Sequence, residues 1–145
     1  MSEKKVMNKN EVAIIGGAGF VGSRLTARFR KGHVFSNKYD IDLSNQLDKS
    51  IYLDVEDVDS LDQLAGVSTI INLAAVHRDD VRPLSRYDDV NVQGAKNVCE
   101  AACKHGVHQI IFTSSVAIYG FAPADTNESG ESNYFNDYGR TKYLA

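Results

Sequence analysis

Tyr138 and Lys142 are side chains whose types and spacing suit acid–base chemistry. They stand four residues apart in Tyr138-Gly139-Arg140-Thr141-Lys142, and on a helix this spacing puts both on one face. A nearby ammonium favours the phenolate, so it lowers the pKa of a tyrosine from its ordinary value of about 10. Such a tyrosine can take a proton from an alcohol near neutral pH. Alone, the pair could equally be an exposed pair that occurs by chance.

A glycine-rich segment near the N-terminus suits phosphate binding. It runs Gly16-Gly17-Ala18-Gly19-Phe20-Val21-Gly22, and reads as Gly17-x-Gly19-x-x-Gly22 or as Gly16-x-x-Gly19-x-x-Gly22. Both readings place glycines where the backbone turns tightly and lets a pyrophosphate approach a helix N-terminus. The alternative is a tight turn that packs closely without a ligand. The place of the segment, after a strand and before a helix, favours dinucleotide binding.

An acidic residue follows the glycines at the distance typical of a ribose ligand. Asp42 lies 20 residues after Gly22, at the predicted end of the second strand. A carboxylate there accepts hydrogen bonds from the adenosine ribose and repels a 2′-phosphate, which favours NAD over NADP. Asp40 is the competing candidate, because strand ends are predicted only to within a few residues, and either acid could be a solvated loop residue.

The elements that must position these residues alternate between strands and helices. We predict strands at 11–16, 39–42, 51–53, 68–73 and 109–113, and helices at 20–30, 61–65 and 86–104, with another beginning near Tyr138. In the first helix Phe20, Val21, Leu25 and Phe29 recur at about one turn. Right-handed crossovers then give an α/β fold, a parallel sheet in the order 3-2-1-4-5 flanked by helices.

The long helix and the segment before the last helix carry further expectations. We predict that Val90, Ala95, Val98 and Ala102 face inward, that Cys99 and Cys103 pack on the sheet side, and that Gly106 stops the helix. Residues 121–136 form a loop longer than ordinary connections, which we expect to be poorly ordered or displaced.

Composition narrows the class of protein. The 145 residues make one domain, 43% of them are hydrophobic, and the net charge is −3. We expect no nucleic-acid partner, no membrane span and, without an apolar signal core, a cytoplasmic location. Two cysteines cannot form a disulfide scaffold or a four-ligand zinc site, and we predict no metal site.

Ser115 completes the chemical set, since a hydroxyl at the C-terminal end of a parallel strand lies at the ligand edge of the sheet. With it, the chain resembles the N-terminal part of an extended short-chain dehydrogenase/reductase of the NAD-dependent nucleotide-sugar epimerase/dehydratase family, whose NAD-binding domain is a Rossmann fold. The segments that carry the likeness are Gly16-Gly17-Ala18-Gly19-Phe20-Val21-Gly22, Leu53-Asp54-Val55, Asn72-Leu73-Ala74-Ala75, Asn91-Val92-Gln93-Gly94, Thr113-Ser114-Ser115-Val116-Ala117-Ile118-Tyr119-Gly120 and Tyr138-x-x-x-Lys142.

The resemblance implies a role for each residue. Ser115 would hydrogen-bond the substrate hydroxyl and the Tyr138 oxygen, Tyr138 would be the base, and Lys142 would bind the nicotinamide ribose and lower the tyrosine pKa. Asp54 would contact the adenine, and Asn91 would support the nicotinamide half. The residues implied for NAD binding are Gly16, Gly17, Gly19, Phe20, Val21, Gly22, Asp42, Asp54, Val55, Leu73, Ala74, Ala75, Asn91, Tyr138 and Lys142.

Two segments depart from the family pattern. Dehydratases and decarboxylases of the family usually carry an acidic residue two positions after the catalytic hydroxyl, where this chain has Ala117. This difference favours an epimerase or a ketoreductase over a dehydratase or a decarboxylase. The segment Val76-His77-Arg78-Asp79-Asp80 should face the substrate and set specificity. His77 is expected to contact cofactor or substrate there and not a metal.

The resemblance also bears on completeness, because family members are typically more than twice this length. We expect residues 1–145 to be an incomplete NAD-binding domain that lacks the sugar-nucleotide-binding part and is inactive alone. The parent would be a nucleotide-sugar epimerase, acting at C4 through a 4-keto intermediate. The alternatives are an NAD(P)-dependent keto-sugar reductase and, for the isolated chain, a non-catalytic dinucleotide-binding module. The resemblance leaves a homodimer open.

Overall fold

The computed structural model describes residues 11–28, 33–36 and 50–145. The chain divides into two compact units, residues 1–74 with 97–113 and residues 75–96 with 114–145. Each unit is described by itself. Within the described residues no helix is long and apolar enough to cross a membrane.

The first unit is built on a parallel sheet. Its strands are β1 (Glu11–Ile15), β2 (His33–Ser36), β3 (Ser50–Tyr52), β4 (Val67–Asn72) and β5 (Gln109–Phe112). They lie in the order β3-β2-β1-β4-β5 and every adjacent pair is parallel. Ala13, Ile14 and Ile70 are fully buried in the central pair of strands, so the apolar runs of the sequence form the core. The predicted fold class and strand order are confirmed.

The second strand is not where the sequence predicts it. β2 occupies His33–Ser36 and pairs with β1, with Ile14 opposite Val34. The predicted segment 39–42, with Asp40 and Asp42, lies outside the described residues. β2 was not predicted, because local periodicity does not report the pairing between strands that defines it.

α1 (Phe20–Thr26) follows β1, but its apolar residues do not all face inward. Phe20 is 76% exposed and Val21 is 59% exposed. The Arg24 guanidinium lies 3.8 Å from the centre of the Phe20 ring. Gly22 is the residue that α1 buries. The apolar spacing therefore predicts the helix correctly but does not show which residues it buries, and at the start of α1 backbone and not side chain makes the close contact.

A helical segment runs from residue 85 to residue 105. It consists of α2 (Ser85–Tyr87), a π-helical stretch (Asp88–Gln93) and α3 (Gly94–His105). Ala95, Val98 and Ala102 are buried as predicted, and Gly106 ends the helix at φ +67°. Cys99 and Cys103 are exposed, so their predicted packing against the sheet is wrong. One step of 100° around the helix from Val98 and Ala102 carries both cysteines out of the buried stripe.

The remaining helices are short. A 3₁₀ helix (Val58–Leu64) replaces the predicted helix at 61–65 and is capped by the Asp57 carboxylate, which accepts from Ser60 N. In the second unit, a 3₁₀ turn (Val116–Tyr119) and α4 (Asp137–Leu144) flank the long loop.

Contrary to the sequence expectation, the loop has defined contacts. The rings of Phe121 and Phe135 stack with centroids 4.7 Å apart. Asn133 N donates to Ile118 O at 2.8 Å. The loop is thus irregular, as predicted, but it is tied back to the 3₁₀ turn.

Candidate cofactor and catalytic residues

The glycine turn of the first unit has the backbone geometry of a phosphate-binding turn. Gly16 has φ +73°, and Gly19 N donates to Gly16 O at 3.0 Å, which closes the turn. A Cβ at Gly22 would lie 2.3 Å from Gly16 O, so α1 can approach β1 only with glycine there. Among the described residues, a Cβ at Gly19 would meet only Gly16 O, at 3.2 Å. The three glycines thus match the three jobs of the dinucleotide motif: tight turn, open approach for a pyrophosphate, and close helix packing.

The end of β4 lies against this turn. A Cβ at Gly16 would be 3.1 Å from Ala74 N, and Leu73 N donates to Ile15 O at 3.0 Å. The buried Asn72 side chain accepts from Ala74 N at 3.1 Å and so shapes the backbone after the strand. Leu73 and Ala74, two of the residues implied for the cofactor, are therefore placed beside the glycines.

Asp54 is buried at the end of β3 and its surroundings fix its orientation. Its Oδ1 accepts from Glu56 N at 3.0 Å, and its own backbone N donates to Ser60 Oγ at 2.9 Å. Asn97 Nδ2 donates to Val55 O at 2.8 Å and ties this corner to α3. Ser60 and Asn97 hold the proposed adenine contacts, and no motif in the sequence indicates either residue.

In the second unit, Asn91 acts on backbone. Its Oδ1 accepts from Val76 N at 2.7 Å and its Nδ2 donates to Val76 O at 3.0 Å, as a strand partner would. The same Nδ2 lies 2.9 Å from Thr141 Oγ1. The buried Asn91 thus joins the segment after Ala75 to α4. Its contacts in the structure are with Val76 and Thr141, so any effect of Asn91 on the nicotinamide half would be indirect.

α4 presents Tyr138 and Lys142 one turn apart, as the sequence predicts. Asn136 caps it by accepting from Gly139 N at 2.7 Å. A Cβ at Gly139 would lie 2.4 Å from Ala117 O, so the helix packs directly on the 3₁₀ turn that Ser115 begins. Ser115 Oγ accepts from Ala117 N at 3.1 Å, which leaves its own hydrogen free to donate.

Lys142 is removed from solvent. Its side chain is 4% exposed, and burial lowers its pKa from 10.5 to about 8. At neutral pH the amine is still mainly protonated, so it can supply the positive charge that a tyrosinate needs.

Arg140 and Thr141, between the two predicted catalytic residues, anchor α4 and were not singled out from sequence. Thr141 is fully buried and donates to Asp137 O at 2.8 Å. Arg140 makes two parallel bonds to Asp88, at 2.9 Å and 2.6 Å. The Tyr138–Lys142 spacing carries no signal for Arg140 or Thr141, because their roles depend on partners about 50 residues away in sequence.

The segment after Ala75 is held in place by a residue of α2. The Tyr87 hydroxyl donates to Arg78 O, and the Arg78 guanidinium pairs with Asp80 at 2.7 Å. His77 Nδ1 lies 3.5 Å from Ala75 O. Among the described residues, no three metal-ligating side chains come together.

The sequence model of the NAD dependent epimerase/dehydratase family matches residues 12–145. The chain belongs to this family of enzymes. The family's cofactor is NAD, and the glycine turn with its open approach at Gly19 fits a dinucleotide. The residues implied for NAD are divided between the units: the glycines, Asp54, Val55, Leu73 and Ala74 lie in the first, and Ala75, Asn91, Tyr138 and Lys142 lie in the second.

Two curated relatives and one solved structure place the chain within the family. It is 46% identical to N-acetyl-alpha-D-glucosaminyl-diphospho-ditrans,octacis-undecaprenol 4-epimerase of Escherichia coli O157:H7, over 96% of this chain and 42% of that protein. It is 28% identical to UDP-glucose 4-epimerase of Rhizobium meliloti (strain 1021), over 96% of this chain and 46% of that protein. UDP-glucose 4-epimerase from Brucella ovis in complex with NAD superposes with a TM-score of 0.77 at 25% identity, over 93% of this chain and 45% of that one. The chain thus spans less than half the length of these relatives.

Proposed function

We propose that this chain carries the NAD-binding and proton-transfer residues of a sugar 4-epimerase. The observation that carries the proposal is the packing of α4 on the turn that Ser115 begins, with Tyr138 and Lys142 one turn apart on that helix. The two curated relatives are themselves 4-epimerases, which supports C4 as the reacting carbon.

The chain's residues then act as follows. Tyr138, as the phenolate, takes the proton of the C4 hydroxyl, and Ser115 donates a hydrogen bond to the same oxygen. Lys142 stabilises the phenolate and binds the nicotinamide ribose. NAD, held by the glycine turn and by Lys142, would supply the hydride acceptor and donor for the change at C4. Tyr138 gives the proton back, so no net redox change occurs.

The side chains after Ser115 favour epimerisation over elimination. Val116 is exposed and Ala117 offers a methyl group, where removal of water from a keto sugar needs an acid or base. The same catalytic set without return of the hydride would be a keto-sugar reductase, which consumes one reduced cofactor per turnover.

The substrate class is a sugar linked through a diphosphate. The Rhizobium relative is named for a UDP-sugar, and the more similar Escherichia coli relative for a sugar on a polyprenol diphosphate. We propose that the diphosphate-linked hexose is the common element, and that the carrier is recognised by residues outside this chain.

The test uses the full-length protein with NAD. UDP-glucose, UDP-N-acetylglucosamine, a GDP-sugar, a dTDP-sugar and undecaprenyl-diphospho-N-acetylglucosamine are each incubated with it, and C4 epimers are separated and counted. Epimer formation without net NADH change is expected with at least one of them. Stoichiometric NADH consumption with a keto sugar would establish the reductase, and no epimer from any sugar would refute the proposal.

The 145-residue chain by itself is proposed to bind NAD without turning over sugar, because it spans less than half of its relatives. The same panel, applied to the chain alone, tests this. Robust turnover would show that the chain holds its own sugar site.

A further inference from the structure

We propose that Arg140 and Asp88 are positioning residues for proton transfer. Their ion pair fixes the position of α4 along its axis and its rotation about that axis, and thereby the positions of Tyr138 and Lys142. The inference rests on the proposed function of those two residues. Neither Arg140 nor Asp88 belongs to the catalytic or NAD-binding set.

α4 needs external contacts to have a defined position. It is eight residues long, and an isolated helix of that length is marginal in water. Its place is therefore set by what holds it, and a small error there matters, since a misplacement of about 1 Å can cost on the order of 10²-fold in rate.

Three consecutive residues of α4 make contacts with three different partners. Gly139 packs on Ala117 O, Arg140 pairs with Asp88, and Thr141 meets Asn91. Gly139 sets how closely α4 approaches the 3₁₀ turn. Thr141 accepts a single hydrogen bond from Asn91, and the helix could still rotate about that bond. The Arg140 pair makes two parallel bonds to one carboxylate and so restricts this rotation.

The geometry of the pair suits this role. Arg140 Nη1 lies 2.9 Å from Asp88 Oδ1 and Nη2 lies 2.6 Å from Oδ2, while Nε lies 3.1 Å from Asp137 Oδ1. A planar fork on a carboxylate fixes direction as well as distance, which a lysine cannot do. Arg140 is two positions from Tyr138 and from Lys142, so it lies across the helix from both and acts through the backbone.

The pair contributes orientation more than stability. Its side chains are 30% and 48% exposed, and pairs so exposed contribute little to the free energy of unfolding. The fork also keeps its charge: hydrogen bonding to Arg140 lowers the pKa of Asp88, and the pKa of Arg140 is raised by Asp88. The ion pair therefore stays intact near neutral pH.

The test compares Arg140→Ala, Asp88→Ala, their double variant and Arg140→Lys in the full-length protein. Each single Ala variant should lower kcat on the order of tenfold with little change in KM, and the double variant should lose no more than either single one. Arg140→Lys should restore only part of kcat. Lys104→Ala, which removes an exposed pair with Asp62 at 2.6 Å, is the matched control.

Hydrogen exchange gives a readout that does not depend on turnover. Amides of α4, such as Ala145 N bonded to Thr141 O, should exchange faster in Arg140→Ala and Arg140→Lys and as in wild type in Lys104→Ala. A wild type without epimerase activity would refute the proposed function, while the exchange data would still decide whether the pair holds α4. Unchanged exchange, kcat within about twofold of wild type, or losses that multiply in the double variant would overturn the inference.

Discussion

At the scale of single residues, Lys142 combines a positive charge with almost complete burial. Burial favours the neutral amine, which is why its pKa falls to about 8. The proposed role requires the charged form, so the free protein bears the cost of keeping a cation out of water. Bound cofactor and a tyrosinate would both favour the ammonium.

The burial of Lys142 predicts how stability depends on pH. Between pH 8 and 10.5 the unfolded chain binds more protons than the folded one, so the free energy of unfolding rises with pH across this window. The full gain is about 3 kcal/mol, from 1.4 kcal/mol per pH unit. Urea denaturation of the NAD-free protein at pH 7, 8, 9 and 10 measures it. Lys142→Met should abolish the rise, and Lys104→Met should keep it; a rise of equal size in Lys142→Met would contradict the assignment.

Tyr138→Phe should abolish turnover in the full-length protein while leaving NAD affinity nearly unchanged. The phenol is the proposed proton acceptor and the ring alone still fills its place, so kcat should fall by about 10²–10⁴. Initial epimerisation rates and NAD titration measure the two effects. Tyr143→Phe, on the same helix with its ring beside Tyr134, is the matched control and should retain activity. Ser115→Ala should cost less than Tyr138→Phe, because it removes a hydrogen bond and not the base.

Asp42 remains the predicted ribose ligand and lies outside the described residues. Replacing it with Asn or Arg should narrow or reverse the preference for NAD over NADP, because the repulsion of a 2′-phosphate is lost. Titration with both cofactors tests this, and Asp40→Asn serves as the comparison. Equal binding of NAD and NADP by the wild type would contradict the proposed role of Asp42 in selecting NAD.

At the scale of elements, the glycine turn is held together by backbone contacts that tolerate no side chain. In Gly22→Ala the added carbon would meet Gly16 O and Gly17 Cα at 2.3 Å and 2.6 Å, and neither is the end of a flexible side chain. We expect a lower melting temperature and weaker NAD binding, because α1 must move away from the turn. At Gly106 no atom of the described part of the chain lies within 4 Å of the added carbon, so the strain expected there is that of the left-handed backbone.

Gly106→Ala is therefore the control for Gly22→Ala. It should destabilise by about 1 kcal/mol and leave NAD affinity unchanged. Thermal unfolding with and without NAD measures both variants. If Gly22→Ala bound NAD as the wild type does, the turn would not be the cofactor's anchor.

Elements with strong local patterns could be predicted from sequence, and contacts set by tertiary structure could not. β1, β4 and the buried stripe of α3 follow from runs such as Val12–Ile15 and from Ala95, Val98 and Ala102. β2 at His33–Ser36 was not predicted, because its pairing with β1 leaves no signal in local periodicity. Motifs indicate Ser115, Tyr138 and Lys142, whereas Arg140, Thr141 and Asn97 act through partners distant in sequence.

At the scale of the whole molecule, the proposed cofactor residues are divided between the two units, and the proposed proton-transfer residues lie in one of them. The glycine turn belongs to the unit built on the sheet, and Ser115, Tyr138 and Lys142 belong to the other. Gly22→Ala changes the turn, whereas Tyr138→Phe leaves both the turn and Lys142 in place, so the two variants are expected to differ in their effect on NAD affinity.

β5 bears on how the chain behaves in concentrated solution. It ends the order of the described strands, and Ile110 and Ile111, which point to opposite faces, are 36% and 44% exposed. Its sequence, Gln109-Ile110-Ile111-Phe112, has no charge or proline to discourage pairing with another chain. Concentrated solutions of the 145-residue chain should therefore aggregate, and Ile111→Lys should delay the rise in light scattering while a surface change such as Lys96→Gln should not. Equal scattering in the two variants would mean that assembly begins elsewhere. Because β5 ends the order of the described strands, copies of the chain can associate edge to edge through it.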